Sequence, residues 1–380
     1  MTTRAKTAHV DAYAVNKLAA HPDVLREFRE TGHTQRLISV HLMPTNSCSH
    51  RCEHCSYRLV FDDGVANKNA SAFDDTKQIP WPAMSALLDD FAALGVQGVE
   101  VTGGGEPLSY RHRARLWSAL ARHGFATALV TNGTLLTPDL AALISIRLKW
   151  ARVSIDAGES ETYQRVHGVE ATEFKRAWNA VMLLREHAPS DPEFRLGVSF
   201  VLDNLNAAEI RSFAHLAREH GADNVRLSAT YSDRHLGFFT DLDAIRRAEE
   251  ESLAVEADFN TRDFRVHNLI PPRLWEIEHP AQDYRRCATK DVLCVVEGEG
   301  KVFTCCTFTG SPKGMQGNIL EHPRGFRGIW EDNAEWRRSF DASIYCDVTC
   351  LYRDRNLAMN ELIDAPTMTP AQDHVHSEFI

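Results

Sequence analysis

Hydrophobic positions along this chain change period in a regular way. Residues 1–35 read as one or two short helices, with Pro22 opening the segment 23–30. Residues 37–43 (LISVHLM) then alternate toward β structure and run directly into a cysteine-rich loop. From Pro82 onward, stretches with apolar residues three and four apart take turns with short apolar runs. The spacing predicts helices over 83–94, 113–123, 138–146, 174–187 and 207–220, and strands over 98–101, 126–130, 151–155, 195–202 and 224–229. Alternation of this kind implies a parallel sheet with right-handed crossovers. Together with 37–43 it gives six strands, an α/β fold of partial (βα)6 TIM-like barrel type. Chemistry in such folds gathers at the carboxyl ends of the strands, and the unusual short motifs fall at those ends.

The remaining segments differ in character. Residues 61–78 are rich in Asp, Asn, Gly and Ser and are expected to form an exposed insertion. Over 233–286, Glu249–Glu251 and the Pro271-Pro272 pair suggest a linker and helical connector. Beyond it, 292–296 and 301–304 around Glu297-Gly-Glu-Gly300 predict a β-hairpin with a glycine turn. The polar tail with Pro366 and Pro370 is expected to be loosely ordered. The expected division is therefore a helical extension (1–35), a barrel (36–240), a connector (241–286), a small cysteine-bearing C-terminal domain (287–355) and a tail (356–380).

Composition narrows the class without naming it. The chain has 380 residues, 43% hydrophobic and 25% charged, as an ordinary globular protein has. No apolar run reaches the roughly 18 residues of a membrane span, and residues 1–17 lack a signal-peptide core. A reducing, cytoplasmic setting is expected, with no membrane partner. There, nine cysteines point to metal or catalysis rather than to disulfides. A formal charge of −10 argues against a nucleic-acid partner.

Two groups of thiols carry the chemistry. In Cys48-Ser-His-Arg-Cys52-Glu-His-Cys55, three thiols stand at C-x3-C-x2-C spacing where a strand ends. Thiolates suit zinc, copper(I) or iron–sulfur clusters. Structural zinc takes four closed ligands, which here requires His50 or His54 as the fourth. Three thiolates on a four-iron cubane instead leave one iron open to a small molecule. Downstream, Cys287 is followed by twelve residues, Gly300, four residues and Cys305, and then by Cys346 and Cys350. Cys294 and Cys306 are left over. Cys294 suits a small buried hydrophobe. Cys306 is a candidate ligand, a structural thiol or a catalytic hydrogen donor. Two C-x2-C knuckles, the mark of a zinc ribbon, are absent from this segment.

The loop, with Gly103-Gly104-Gly105-Glu106-Pro107 one strand later, resembles the radical S-adenosylmethionine (SAM) superfamily. The second thiol group is similar to the twitch and SPASM extensions of that superfamily. The resemblance implies a [4Fe–4S] cluster on Cys48, Cys52 and Cys55 whose open iron is chelated by SAM. One electron then cleaves SAM to a 5′-deoxyadenosyl radical. His54, filling the family's aromatic place, is implied to lie near the adenine. Gly104, Gly105 and Glu106 would meet the SAM amino group, and Ser154, Asp156 and Arg165 its carboxylate and ribose. Asn132, in Thr131-Asn-Gly133, either holds a loop or contacts cofactor or substrate. Cys287, Cys305, Cys346 and Cys350 would hold one auxiliary [4Fe–4S] cluster.

The implied partners are an external one-electron donor, such as flavodoxin or ferredoxin, and a substrate. The stretch ahead of the first strand is shorter than the leader-binding domain that peptide modifiers often carry. A small natural-product intermediate of sugar, aminocyclitol or nucleoside type is therefore expected, with the auxiliary cluster assisting oxidation, anchoring the substrate or supplying sulfur. The alternatives are epimerisation or cross-linking of a ribosomal peptide and, in another class, a zinc-binding interaction protein.

Overall fold

The protein is described by a computed structural model covering residues 13–380 except 56, 58–59, 63–64, 68–73, 231–238, 280–281, 347–349 and 366–373. One ten-stranded sheet organises it. In chain order its strands are β1 (Ser39–Leu42), β2 (Gly98–Val101), β3 (Ala126–Thr131), β4 (Leu148–Ser154), β5 (Arg195–Leu202), β6 (Asn224–Ala229), β7 (Arg265–Asn268), β8 (Leu293–Val296), β9 (Lys301–Phe303) and β10 (Met315–Asn318). Across the sheet they run β10-β9-β8-β1-β2-β3-β4-β5-β6-β7. From β8 to β7 every neighbouring pair is parallel, while β9 and β10 are antiparallel. The six expected strands are β1 to β6. They form the core of an α/β, TIM-like open barrel, and the expected hairpin is β8–β9.

Helices pack on the outer face because their apolar residues recur on one side. In Trp81–Ala93 that side is Met84, Leu87, Leu88 and Phe91, all buried. Together with Val40, Val99, Leu129, Val153 and Val198 of the strands they belong to one core. Each fully buried aliphatic side chain contributes about 2 kcal/mol of transfer free energy.

Three features depart from expectation. The connector contains β7, a strand (RVHN) with a single apolar residue among polar ones, flanked by helices Leu242–Phe259 and Ile270–Glu278. Pro271 and Pro272 lie in the first turn of the second helix, where a missing N–H costs nothing. Ser160–His167, which the period leaves unassigned, is a helix ended by Gly168 at φ 60°.

The third departure is in the described parts of the C-terminal tail, which are not loose; Pro366 and Pro370 lie outside the described residues. Arg353–Asp364 is helical, and residues 374–380 dock on the barrel, with Ile380 only 3% exposed. Lys17 Nζ donates to Phe379 O at 3.1 Å, and His21 Nε2 and His376 Nε2 donate to Ser377 O (2.8 Å) and Glu193 O (2.9 Å). These polar anchors belong to distant segments and leave no trace in the tail's composition.

Of the expected insertion, a two-stranded ribbon, Val60–Asp62 with Val65–Asn67, is described; the rest up to residue 73 lies outside the described residues. No helix among the described residues is long and apolar enough to cross a membrane.

Candidate active site and thiol centres

The cysteine loop leaves β1 and is strapped to the end of β2. Gly105 N donates to Thr45 O at 3.0 Å and Glu106 N to Ser47 O at 2.8 Å. A Cβ on Gly105 would lie 2.3 Å from Ser47 O and 2.5 Å from Asn46 C. Only glycine permits this approach. Gly104 has room beside Asn46 and Met43.

Glu106 is 3% exposed and its carboxylate accepts from Thr131 Oγ1 (2.5 Å), Asn132 N (2.8 Å) and Leu108 N (3.0 Å). It thus clips the end of β3 to the end of β2. Burial raises its pKa, against the pull of these three donors. Asn132 continues the chain of bonds, donating through Nδ2 toward His50 Nδ1 at 2.8 Å and to Ser49 Oγ at 3.1 Å. Strand ends β1, β2 and β3 are thereby locked together beneath the thiols.

From the other side, the helix Ser160–His167 meets the loop. Arg51 N and Glu53 N donate to His167 O (2.9 Å) and Val166 O (3.1 Å). His167 Nδ1 is 3.0 Å from Cys52 Sγ, while its Nε2 donates to Ile155 O at 2.7 Å. His50 is buried, its Nε2 3.1 Å from Tyr163 OH, and burial pushes its pKa down to about 4.

Asp156 closes β4 in the left-handed region, at φ 57°, an uncommon conformation that Asp tolerates better than most residues. Its Oδ1 accepts from Val201 N at 2.9 Å, and burial pushes its pKa up to about 6, opposed by His54. His54 lies between Asp156 (3.8 Å) and Asp203 (3.7 Å). Burial lowers its pKa, but these carboxylates outweigh burial and the net shift is upward. Ser154 pairs with Ser199 Oγ at 3.3 Å. Arg165 is exposed and donates to Thr162 Oγ1 at 3.0 Å, beside Glu209 rather than among the thiols.

Cys48, Cys52 and Cys55 are half-buried, and none is in a disulfide. Burial, then Cys55 and Cys48, push the Cys52 thiol far up. Three crowded thiolates repel one another, and a polynuclear cation among them removes that penalty. Asn46 adds an independent sign: it is 1% exposed, with neither side-chain polar atom partnered, between Gly104 and Gly298. Such orphaned groups mark a place built for a polar ligand. The donor set fits a thiolate-held iron–sulfur cluster with a polar cofactor beside it.

The second centre is gathered from distant segments. Burial, then Cys306, Cys287 and Cys350, raise the Cys305 thiol. Cys287, Cys305 and Cys346 border a small core of Tyr284, Phe308, Phe340 and Ala342. Tyr284 OH donates to Cys350 Sγ at 3.3 Å. Cys294 is buried in β8. Cys306 Sγ lies 3.2 Å from Tyr352 OH and packs by Tyr57, Met43, Val295 and Phe303. Tyr57, whose pKa is raised by burial, also feels both Cys306 and Cys55, so it stands between the two thiol groups.

A cavity of about 350 Å³ lies beside Tyr57 and Cys306, with none of Cys48, Cys52 and Cys55 in its walls. Tyr57, Cys306, His41, Glu100, Arg152 and Arg226 are among its walls.

Sequence reasoning missed Asn46, His167, Asp203, Tyr57 and Tyr284. A hint existed for Asp203 alone, in the Asp203-Asn-Leu-Asn206 turn that follows β5.

Comparison with known proteins agrees with this geometry. Residues 42–217 match the Radical SAM superfamily model. The AdoMet-dependent heme synthase of Methanosarcina barkeri is 25% identical over 327 residues, 80% of this chain and 85% of its own length. The mycofactocin maturase MftC of Mycolicibacterium smegmatis is 24% identical over 300 residues, 77% of this chain and 70% of its own. Among solved structures, SuiB of Streptococcus suis bound to the precursor peptide SuiA aligns with a TM-score of 0.61 at 16% identity, covering 93% of this chain and 79% of that one. Native anSMEcpe with bound AdoMet aligns with a TM-score of 0.58 at 14% identity, covering 86% and 96%. At such identities the structural likeness speaks for the fold.

Proposed function

Residues 42–217 are a radical SAM domain, and on that premise we propose an enzyme that abstracts hydrogen from a small natural-product intermediate held in the cavity beside Tyr57 and Cys306. The [4Fe–4S] cluster and SAM that such a domain binds supply reductive, one-electron cleavage of SAM and hence a hydrogen-abstracting 5′-deoxyadenosyl group. Cys48, Cys52 and Cys55 hold the cluster. Asn46, Gly104, Gly105, His54, Asp156 and Ser154 form the polar bed for SAM, with Arg165 a further candidate. Glu106 and Asn132 keep the three strand ends in register. Cys287, Cys305, Cys346 and Cys350 would hold an auxiliary cluster able to take the electron of the substrate radical as a proton leaves, which makes the net reaction an oxidation, and Cys306, facing the cavity, is a candidate catalytic residue. Flavodoxin or ferredoxin is the class of donor.

The single observation that carries this is the cavity itself, reached by Tyr57 near the first centre and by Cys306 near the second. Its volume suits a small molecule. Anaerobically reconstituted protein with ~8 iron atoms per chain is expected to release 5′-deoxyadenosine from SAM and dithionite. No release at full iron content sinks the proposal.

A second reading, radical modification of a ribosomal peptide, is supported by the likeness to MftC and to peptide-bound SuiB. It predicts that a short peptide, and not a sugar, aminocyclitol or nucleoside, couples 5′-deoxyadenosine release to product.

A further inference from the structure

The interior of this acidic protein is locally basic. Arg152 projects from β4 and Arg226 from β6 into the cavity. Glu100 of β2 acts on both, and His41, 3.3 Å from it, does not take it up as an ion-pair partner, because burial lowers the His41 pKa. Arg273 and Glu276, farther along the wall, are paired with each other. Among the described residues, neither Arg152 nor Arg226 reaches a carboxylate within ion-pair distance. Arg152 has Tyr13 OH at 3.5 Å and the Trp150 ring, 5.5 Å from its guanidinium carbon. Burial, then Arg152 itself, pushes the Arg226 pKa down to about 10. Burial lowers the pKa of Arg152 as well, but Tyr13 and Glu100 outweigh it and the net shift is upward.

Guanidinium groups held away from water with too little counter-charge are costly. A chain with a formal charge of −10 that nevertheless keeps Arg152, Arg226 and Arg355 around one cavity, all three acted on by Glu100, provides for an anion from outside. We propose that Arg152 and Arg226 receive an anionic group, carboxylate or phosphate, of the substrate. The inference rests on the cavity being the substrate site. It narrows the substrate to an acid or phosphate ester and excludes neutral sugars and aminocyclitols. Planar two-pronged donors suit either oxyanion.

The test is calorimetric titration of the reconstituted full chain, saturated with SAM so that SAM's own carboxylate is already accommodated. The probes are succinate, inorganic phosphate and the neutral isostere succinamide. Saturable binding of succinate or phosphate at least about tenfold tighter than succinamide is expected, and the tighter anion names the group. Arg226→Met is expected to weaken it about tenfold or more, and Glu100→Gln, which removes the competing carboxylate, to tighten it. Because the charge change of Glu100→Gln works in the opposite direction, it decides the matter even where Arg226→Met does not fold. Equal binding of succinamide, no binding of either anion, or an unchanged or lower affinity in Glu100→Gln overturns the inference. Release of 5′-deoxyadenosine is read separately. Anion binding without release sinks the radical SAM proposal alone, and release without anion binding sinks this one alone.

Discussion

The two thiol centres are built by opposite strategies. The first takes three cysteines from eight consecutive residues and fastens their loop to three strand ends through Glu106, Asn132 and the helix Ser160–His167. The second collects Cys287, Cys305, Cys346 and Cys350 from across 64 residues around a small aromatic core, with Tyr284 as a hydrogen-bonding neighbour. The first is thus preorganised by buried polar bonds. The second depends on whatever joins its thiols. A centre that must generate a reactive species needs a fixed geometry; one that passes an electron or anchors a substrate tolerates a more loosely assembled frame.

The sharpest way to break this comparison is to remove one thiol from each. Cys52→Ala is expected to reduce 5′-deoxyadenosine release by about a thousandfold or more, the scale of losing a catalytic group. Cys305→Ala should lose ~4 of ~8 iron atoms and most product while reducing that release far less. Equal loss from both would deny the division of labour.

Next in size is Glu106→Ala, which leaves Thr131 Oγ1, Asn132 N and Leu108 N without their acceptor. A cost of about 3–5 kcal/mol is expected in denaturant unfolding. A change below about 1 kcal/mol would show that the polar clip does not hold the first centre.

The docked C-terminal end, whose His376 also lines the cavity, gives a test read in stability. Burial pushes His376 down to about 3 from 6.5. Between those values the unfolded chain binds a proton that the folded chain refuses. Its stabilising contribution is therefore complete above pH 6.5 and is lost as pH falls toward 3. Protein carrying His376→Gln is expected to lose less stability than the parent between pH 7 and pH 5, as measured by urea midpoints; parallel curves would refute this. The smallest effect is expected from Tyr284→Phe, worth about 1 kcal/mol. Removing a donor to a thiolate disfavours the reduced cluster, so the auxiliary potential should fall in an EPR-monitored redox titration. An unmoved potential would leave Tyr284 a packing residue only.

What the sequence disclosed follows from range. The helix and strand periods, the C-x3-C-x2-C loop, the glycine run and the hairpin turn are all local, and each was legible. β7 was not, because Arg265-Val-His-Asn268 holds a single apolar residue among polar ones. The ordered end of the tail was not, because His21, Lys17 and Glu193 anchor it from other parts of the chain. Asn46 sits two residues from Cys48, yet only the approach of Gly104 and Gly298 makes its amide an orphan. Arg152 and Arg226 look like ordinary alternating strand residues until the sheet curves and both face one space. Arg165 shows the converse. Its motif suggested a cofactor contact, while the helix places its guanidinium on Thr162.

Because β8 is hydrogen-bonded residue by residue to β1, from Ser39↔Leu293 to Leu42↔Val296, the strand that feeds the first cysteine also carries the C-terminal hairpin. Swinging one centre away from the other would mean unzipping that ladder. The spacing of the two thiol groups is consequently set by strand pairing, as the spacing of two rungs is set by their rails.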